Sequence, residues 1–211
     1  MRVGINASFV RKPDTGIGQV TLNFLRKVSE SSRVEFILYL EEDLPNGINI
    51  PKHFRTQVML PMWKRDDLVR KWWWERCLVP KQAKRDGCDV FISLYQSATV
   101  MPKSIRHIMV VHDIIPKLFP EYLNNWRKRL NWKSVERGIR HADKLYAVSS
   151  RTEKDLIRHL GISPSSVSVN RIDVDPIFKR TVTPERSAEV MQKYHLSPGY
   201  LYFGGGLEWR K

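Results

Sequence analysis

The chain has 211 residues, 42% hydrophobic and 27% charged, and 36 Lys and Arg against 22 Asp and Glu give a formal net charge of +14. Those proportions exclude a disordered or fibrous chain and fit one large globular domain or two small ones. The basic balance points to a polyanionic partner: nucleic acid, anionic lipid headgroups or a phosphorylated substrate.

Cys77 and Cys88 form no Cys-x-x-Cys, so neither a zinc site nor a disulfide framework is expected, and a reducing compartment is. No run approaches the roughly 20 apolar residues of a membrane span. The opening MRVGINASFV has too short an apolar core for a signal peptide, and Arg11-Lys12 follow at once. The expectation is a cytoplasmic protein whose membrane contact, if any, is peripheral.

RVGINASF, residues 2–9, reads as the first strand, and IGQVTLNFLRKV (17–28) carries apolar residues at helical spacing. VEFILYL (34–40) and RTQVML (55–60) read as strands, and residues 66–85 as one long helix opened by acidic residues. DVFISL (89–94) and RHIMVV (106–111) are short continuous apolar runs, the pattern of strands buried on both faces of a parallel sheet. A basic helix (126–142), a strand (144–149), a helix closed by Gly161 (150–161) and a last strand (166–172) follow. This steady alternation predicts an α/β fold: a doubly wound, Rossmann-like parallel sheet. Residues 1–174 form that domain, 175–198 read as a connector with a helix from Pro184, and 199–211 as the first strand and glycine turn of a second domain.

Ligands of open parallel sheets bind beyond the carboxyl ends of the strands. Three features fall there. Gly16-Ile17-Gly18 opens a helix, where backbone N–H groups favour an anion; an eased turn is the alternative. His112-Asp113 ends an apolar strand, with Pro116 and Pro120 fixing the loop that follows; the imidazole either contacts a ligand or bonds a backbone carbonyl. GGGLEWRK, with Gly205, Arg210 and Lys211, could cradle a diphosphate or be a basic tail. No metal-ligand spacing occurs, so no metal and no cofactor are expected. Arg70, Lys71, Trp72 and Trp73 form an aromatic–basic stretch suited to a membrane interface. Three consecutive Trp cannot share one face, since successive residues turn by about 100°. The alternative is two core Trp beside a solvated cationic face.

Five stretches carry a family resemblance: MRVGINASFVRKPDTGIGQVTLNFL, WWWERCLVPKQAKRDGCDVFISL, VVHDIIPKLFPEY, ADKLYAVSSRTEKDLIRHLGISPSSVSV and YLYFGGGLEWRK. In this order they resemble the N-terminal domain, and the start of the C-terminal domain, of a retaining GT-B glycosyltransferase of family 4. The resemblance implies transfer of a sugar from a nucleotide-diphosphate sugar to a saccharide or lipid-linked acceptor. It implies that the N-terminal domain holds the acceptor and a C-terminal domain, in cis or in trans, the nucleotide. By resemblance, His112 bonds the donor sugar, with Asp113 beside it. Gly16, Ile17, Gly18, Ser149 and Gly205 line the donor and acceptor, and Arg210 and Lys211 neutralise the leaving diphosphate. The chain departs from the family at Ile172-Asp173-Val174-Asp175, where Asn-Gly-Val-Asp is usual, and these residues lack the family's C-terminal acidic pair. They are therefore expected to be inactive by themselves. A non-catalytic acceptor- or membrane-binding module is the competing reading. Nucleic-acid binding rests on charge alone, with no zinc finger, RRM or helix-turn-helix pattern behind it, and is not expected.

Overall fold

The computed structural model describes residues 1–60, 67–174 and 176–202. The chain divides into two units, Met1–Ile172 and Asp173–Lys211.

The first unit is built on seven strands: β1 (Arg2–Asn6), β2 (Glu35–Leu40), β3 (Phe54–Val58), β4 (Val90–Ser93), β5 (Arg106–Val111), β6 (Lys144–Ala147) and β7 (Val167–Val169). Their spatial order is β3-β2-β1-β4-β5-β6-β7, and every pairing is parallel. This is the doubly wound α/β sheet that the alternation predicts. The order reverses direction between β1 and β4, which makes that pair the topological switch.

Period-two alternation sends one strand's side chains into two different cores. On β2, Leu38 and Leu40 pack with Leu22 and Leu25 of α1 (Gly16–Lys27), whereas Ile37 and Tyr39 pack with Trp74 and Val79 on the other face. On β5, Val110 faces the α1 side. Met109 and Val111 meet α5 (Trp126–His141) and α6 (Ser150–Leu160) through Trp132, Ile139 and Leu156. Gly161 ends α6 as expected, and Thr15, Asn125 and Ser149 each accept a backbone N–H at the start of α1, α5 and α6.

The long helix expected at 66–85 runs without a break from Asp67 to Arg85 but is not α-helical throughout. It comprises α2 (Asp67–Trp73), a π-helical turn (Trp74–Leu78) and α3 (Val79–Arg85). Pro80 is the physical reason. It has no N–H to give four residues back, so the ladder widens ahead of it and the Val79 N–H bonds Trp74 O instead. The first strand also stops short, at Asn6. Its side-chain Oδ1 takes the Ser8 N–H at 3.1 Å, and the backbone turns into a 3-10 segment, Ser8–Arg11. A short helix α4 (Ile115–Leu118) and a 3-10 turn (Pro120–Leu123) follow β5.

Gly138 lets α5 approach the loop after β4. A Cβ there would run into the Ser97 carbonyl oxygen and stand 3.0 Å from that of Thr99. Gly138→Ala is expected to destabilise by about 2 kcal/mol or more, read as a lower urea midpoint, because both obstacles are backbone.

His107, 1% exposed, has an orphaned Nδ1, while its Nε2 meets Ser93 Oγ at 2.9 Å. Burial pulls its imidazole down to about 4, against a weaker upward pull from Asp143. The folded ring thus refuses a proton that the unfolded chain accepts near its ordinary 6.5. The contribution of neutral His107 is complete above that value and is lost as pH falls toward 4. The expected loss is about 3 kcal/mol across that window, relative to a His107→Gln variant, measured by urea unfolding at stepped pH.

In the second unit, a 3-10 turn (Pro176–Lys179) precedes α7 (Pro184–Lys193), capped by Thr183. Gly199 turns the chain at φ 84°, and Tyr200–Tyr202 take no strand conformation. Most of the strand and glycine turn expected at 199–211, residues 203–211, lies outside the described residues.

Candidate functional site

The carboxyl end of the switch carries a buried polar network. Tyr95, just past β4, donates its hydroxyl to Glu75 Oε1 at 2.7 Å and accepts from Asn6 Nδ2 at 3.0 Å and from Ser8 Oγ at 2.8 Å. The other Glu75 oxygen takes the Ala98 N–H at 2.8 Å, and Lys71 Nζ lies 3.6 Å from Oε1. Lys71 also sits 4.5 and 4.4 Å above the rings of Phe9 and Tyr95. The π-turn, together with Pro80, points both Trp74 and Glu75 inward, which consecutive residues on an exposed helix would not do. Next door, at the end of β2, Glu41 is buried between Arg70 at 3.4 Å and Arg11 at 3.7 Å. Burial raises its carboxyl, opposed by Arg11, Lys71 and Arg70.

His112 stands at the carboxyl end of β5, half-buried. Its Nε2 meets Leu94 O at 3.0 Å, so that nitrogen carries the proton. Its backbone N–H donates to Gln96 Oε1 at 3.1 Å, and its carbonyl accepts from Thr152 Oγ1 at 3.0 Å. Nδ1 takes none of these bonds. Burial lowers the imidazole below its ordinary value, against upward pulls from the Leu94 carbonyl and Asp113. The ring is therefore neutral near pH 7, with a fixed tautomer and an acceptor lone pair on Nδ1. The loop that fixes it, Leu94–Ala98, is itself pinned by Glu75.

The other sequence candidates fall into separate places. Asp113 Oδ1 accepts the Ile115 N–H at 3.1 Å and shapes the turn into α4. Ser149 caps α6 and meets Thr152 Oγ1 at 3.0 Å, so it reaches His112 through Thr152. At the start of α1, the Gly18 N–H already donates to Thr15 Oγ1 at 3.1 Å. A Cβ on Gly18 would strike the Lys12 carbonyl, so this glycine serves close backbone approach. Gly16 is exposed at the same helix start and Ile17 half-exposed. Gly205, Arg210 and Lys211 lie outside the described residues.

The aromatic–basic stretch is not a free surface. Trp74 is fully buried and donates to Met59 O at 3.1 Å; Trp72 donates to Ser134 Oγ at 2.9 Å. Arg70 is 9% exposed beside Glu41, and Lys71 turns toward Glu75. Of the four residues proposed for a membrane interface, only Trp73 is exposed, at 38%. The carboxylates of Glu41 and Glu75, distant or hidden in the sequence, draw the two cations inward. Among the described residues no cluster of His, Cys, Asp and Glu could hold a metal ion, and no helix is long and apolar enough to cross a membrane.

Sequence reasoning missed Asn6, Tyr95, Gln96, Glu75 and Thr152. A signal existed for the first two. Each is a polar group ending an apolar strand, the same mark that singled out His112. A wider depression of about 460 Å3, lined by Arg2, Arg33, Glu35 and Asp89, lies at the amino ends of β1 and β2. That is the end of the sheet opposite the switch network.

Two solved structures of HepE from Anabaena share this fold. One, in complex with UDP and glucose, has a TM-score of 0.55 at 16% identity; the other, in complex with UDP, has 0.56 at 14%. Each superposition covers 92% of this chain and 50% of HepE, so the chain spans about half the length of the protein it resembles. No curated protein sequence matches it. Residues 15–175, which include α1 and all but the first strand of the sheet, match Glycosyltransferase Family 4, and the chain belongs to that family.

Proposed function

We propose that this chain is the acceptor-side lobe of a retaining glycosyltransferase, which moves a sugar from a nucleotide-diphosphate donor to a saccharide or lipid-linked acceptor. Residues 1–174 act as that lobe, 175–198 as the connector and 199–211 as the entry to a nucleotide-holding lobe. The observation that carries the reading is His112: a neutral imidazole of fixed tautomer at a strand's carboxyl end, beside the switch. Its Nδ1 accepts a hydroxyl of the donor sugar and orients the ring for transfer. Asp113 sets the turn that follows. Ser149, through Thr152, fixes the His112 carbonyl. Gly16 and Ile17 present helix-start amides to a phosphate or acceptor oxygen, and Gly205 takes part in binding donor or acceptor. Arg210 and Lys211 stabilise the charge that grows on the leaving diphosphate, a role that needs no metal or other cofactor. HepE in complex with UDP and glucose supports a uridine nucleotide donor. The reaction runs at the cytoplasmic face of a membrane.

The test is a protein carrying this chain together with its nucleotide-holding lobe. Supplied with UDP-sugars and oligosaccharide or lipid-linked acceptors, it should release UDP in step with product. Proton NMR of the first product should show the donor's own anomeric configuration. No UDP release with any pair makes the chain a binding module, and an inverted anomer removes retention.

A further inference from the structure

We infer that Gln96 is a second contact to the donor sugar: its side-chain N–H donates to the same hydroxyl whose proton His112 Nδ1 accepts. The inference rests on the proposed transfer reaction and adds to it a residue that selects the donor by a free hydroxyl. Gln96 lies on the segment that leaves β4 at the carboxyl end of the sheet. Its neighbours along the chain are sealed. Leu94, Tyr95, Ser97, Ala98 and Thr99 are each 1% exposed or less, whereas Gln96 is only partly buried. Glu75 pins this segment through the Ala98 N–H and the Tyr95 hydroxyl. A fixed loop thus presents one polar side chain outward, and that side chain is itself held. Gln96 Oε1 accepts the His112 backbone N–H at 3.1 Å. A backbone N–H can only donate, so the amide's oxygen, not its nitrogen, must face it. The planar amide then carries Nε2 beside His112 with both protons unspent: among the described residues it makes no hydrogen bond. Nor is it one of the sealed polar atoms without a partner, so it is open to solvent. The same is true of His112 Nδ1.

Hydrogen-bond character identifies the group they hold. Nδ1 offers only a lone pair, because the other ring nitrogen carries the proton to Leu94 O. The Gln96 amide nitrogen offers only protons. Two fixed groups of opposite character, joined by one hydrogen bond, match a ligand atom that both donates and accepts. A hydroxyl does both on one oxygen. An ether or a fluorine lacks the proton that Nδ1 needs, and an acylated amine lacks the lone pair that Gln96 needs. A phosphate or carboxylate would set its charge against the Nδ1 lone pair. The pair therefore selects a sugar with a free hydroxyl at this place. It rejects an analogue without one by leaving both protein groups unpaired in the closed site. Neither residue achieves this alone, since each tests only one half of the hydroxyl.

The experiment uses the protein with both lobes, a UDP-sugar that supports transfer, and the deoxy analogues of that donor, each lacking one sugar hydroxyl. Gln96→Glu keeps an oxygen for the His112 N–H and removes the amide protons. Gln96→Leu removes both. Each variant is checked for native circular dichroism and urea midpoint. With the parent donor, Gln96→Glu should lower kcat/KM about tenfold, the scale of one hydrogen bond to a substrate, with its midpoint unmoved. Gln96→Leu should lose at least as much. One deoxy analogue should cost the wild type about a hundredfold or more. With that analogue Gln96→Glu should fall within about twofold of the wild type, because the hydroxyl it contacts is already gone. His112→Ala should be indifferent to the same analogue. The inference is overturned if Gln96→Glu handles the parent donor as the wild type does, or if its loss is equal with every analogue. It is also overturned if the analogue that cancels its loss differs from the one that cancels the loss in His112→Ala. In those three outcomes the transfer reaction itself stands. Absence of transfer by the wild type with any donor removes the reaction, and this inference with it.

Discussion

Glu75→Ala is expected to lower the unfolding free energy of the chain by about 3 kcal/mol or more, measured by urea unfolding at neutral pH. The carboxylate is 2% exposed and serves three groups: the Tyr95 hydroxyl, the Ala98 amide and the Lys71 ammonium. Its removal leaves a buried amide without an acceptor and takes from Tyr95 the one acceptor its proton has. Asn6 and Ser8 then lose a hydroxyl held in place for them. Each orphaned group adds a desolvation cost of about 1–3 kcal/mol. Glu75→Gln keeps an acceptor for the hydroxyl or the amide and should lose less. A second consequence reaches the site. Residues 94–98 hold His112 through Leu94 O and Gln96, so releasing that loop should let the His112 tautomers mix, which nitrogen-15 chemical shifts of the ring report. A loss under about 1 kcal/mol with an unmoved imidazole would mean that the network is not the anchor of this loop.

His112→Ala separates activity from stability. In a protein with both lobes, it should lower kcat/KM for transfer about a hundredfold, the scale of removing one hydrogen-bonding group aimed at a reacting centre. The folded chain loses chiefly the bond to Leu94 O, worth about 1 kcal/mol, so the urea midpoint should move little. Comparable losses of both would return His112 to the structural residues. The pH response has a definite sign. Burial holds the imidazole below its ordinary value, so the neutral ring persists as pH falls through 6.5 and protonates only in more acid solution. Transfer by the wild type should fall on that acid side and not near neutrality. Protonation removes the acceptor on Nδ1 that the sugar hydroxyl needs.

The sheet was legible because backbone geometry writes itself into short windows. Continuous apolar runs such as RHIMVV belong to strands covered on both faces, and β5 divides its side chains between two cores for that reason. The end of α6 was legible from Gly161, whereas the caps Thr15, Asn125 and Ser149, each acting within three residues of itself, were not singled out. His112 was legible as a polar group where an apolar strand ends.

What lies across the sheet was not legible. Asn6 and Tyr95 are 89 positions apart, and Glu75 and Ala98 are 23 apart; no local window contains either pair. The Trp run shows the same divide. Its periodicity established that the three rings part company, and Trp73 is the exposed one. Which ring enters the core, and that Arg70 and Lys71 turn inward beside it, depended on carboxylates brought there by β2 and by the π-turn. Sequence alone determined the order of elements, the glycine that ends α6 and the strand-end imidazole, because these follow from neighbours along the chain. The tertiary structure decided the partners of buried charges and the face of α5 left outside the core, because both depend on how distant elements fill the same space.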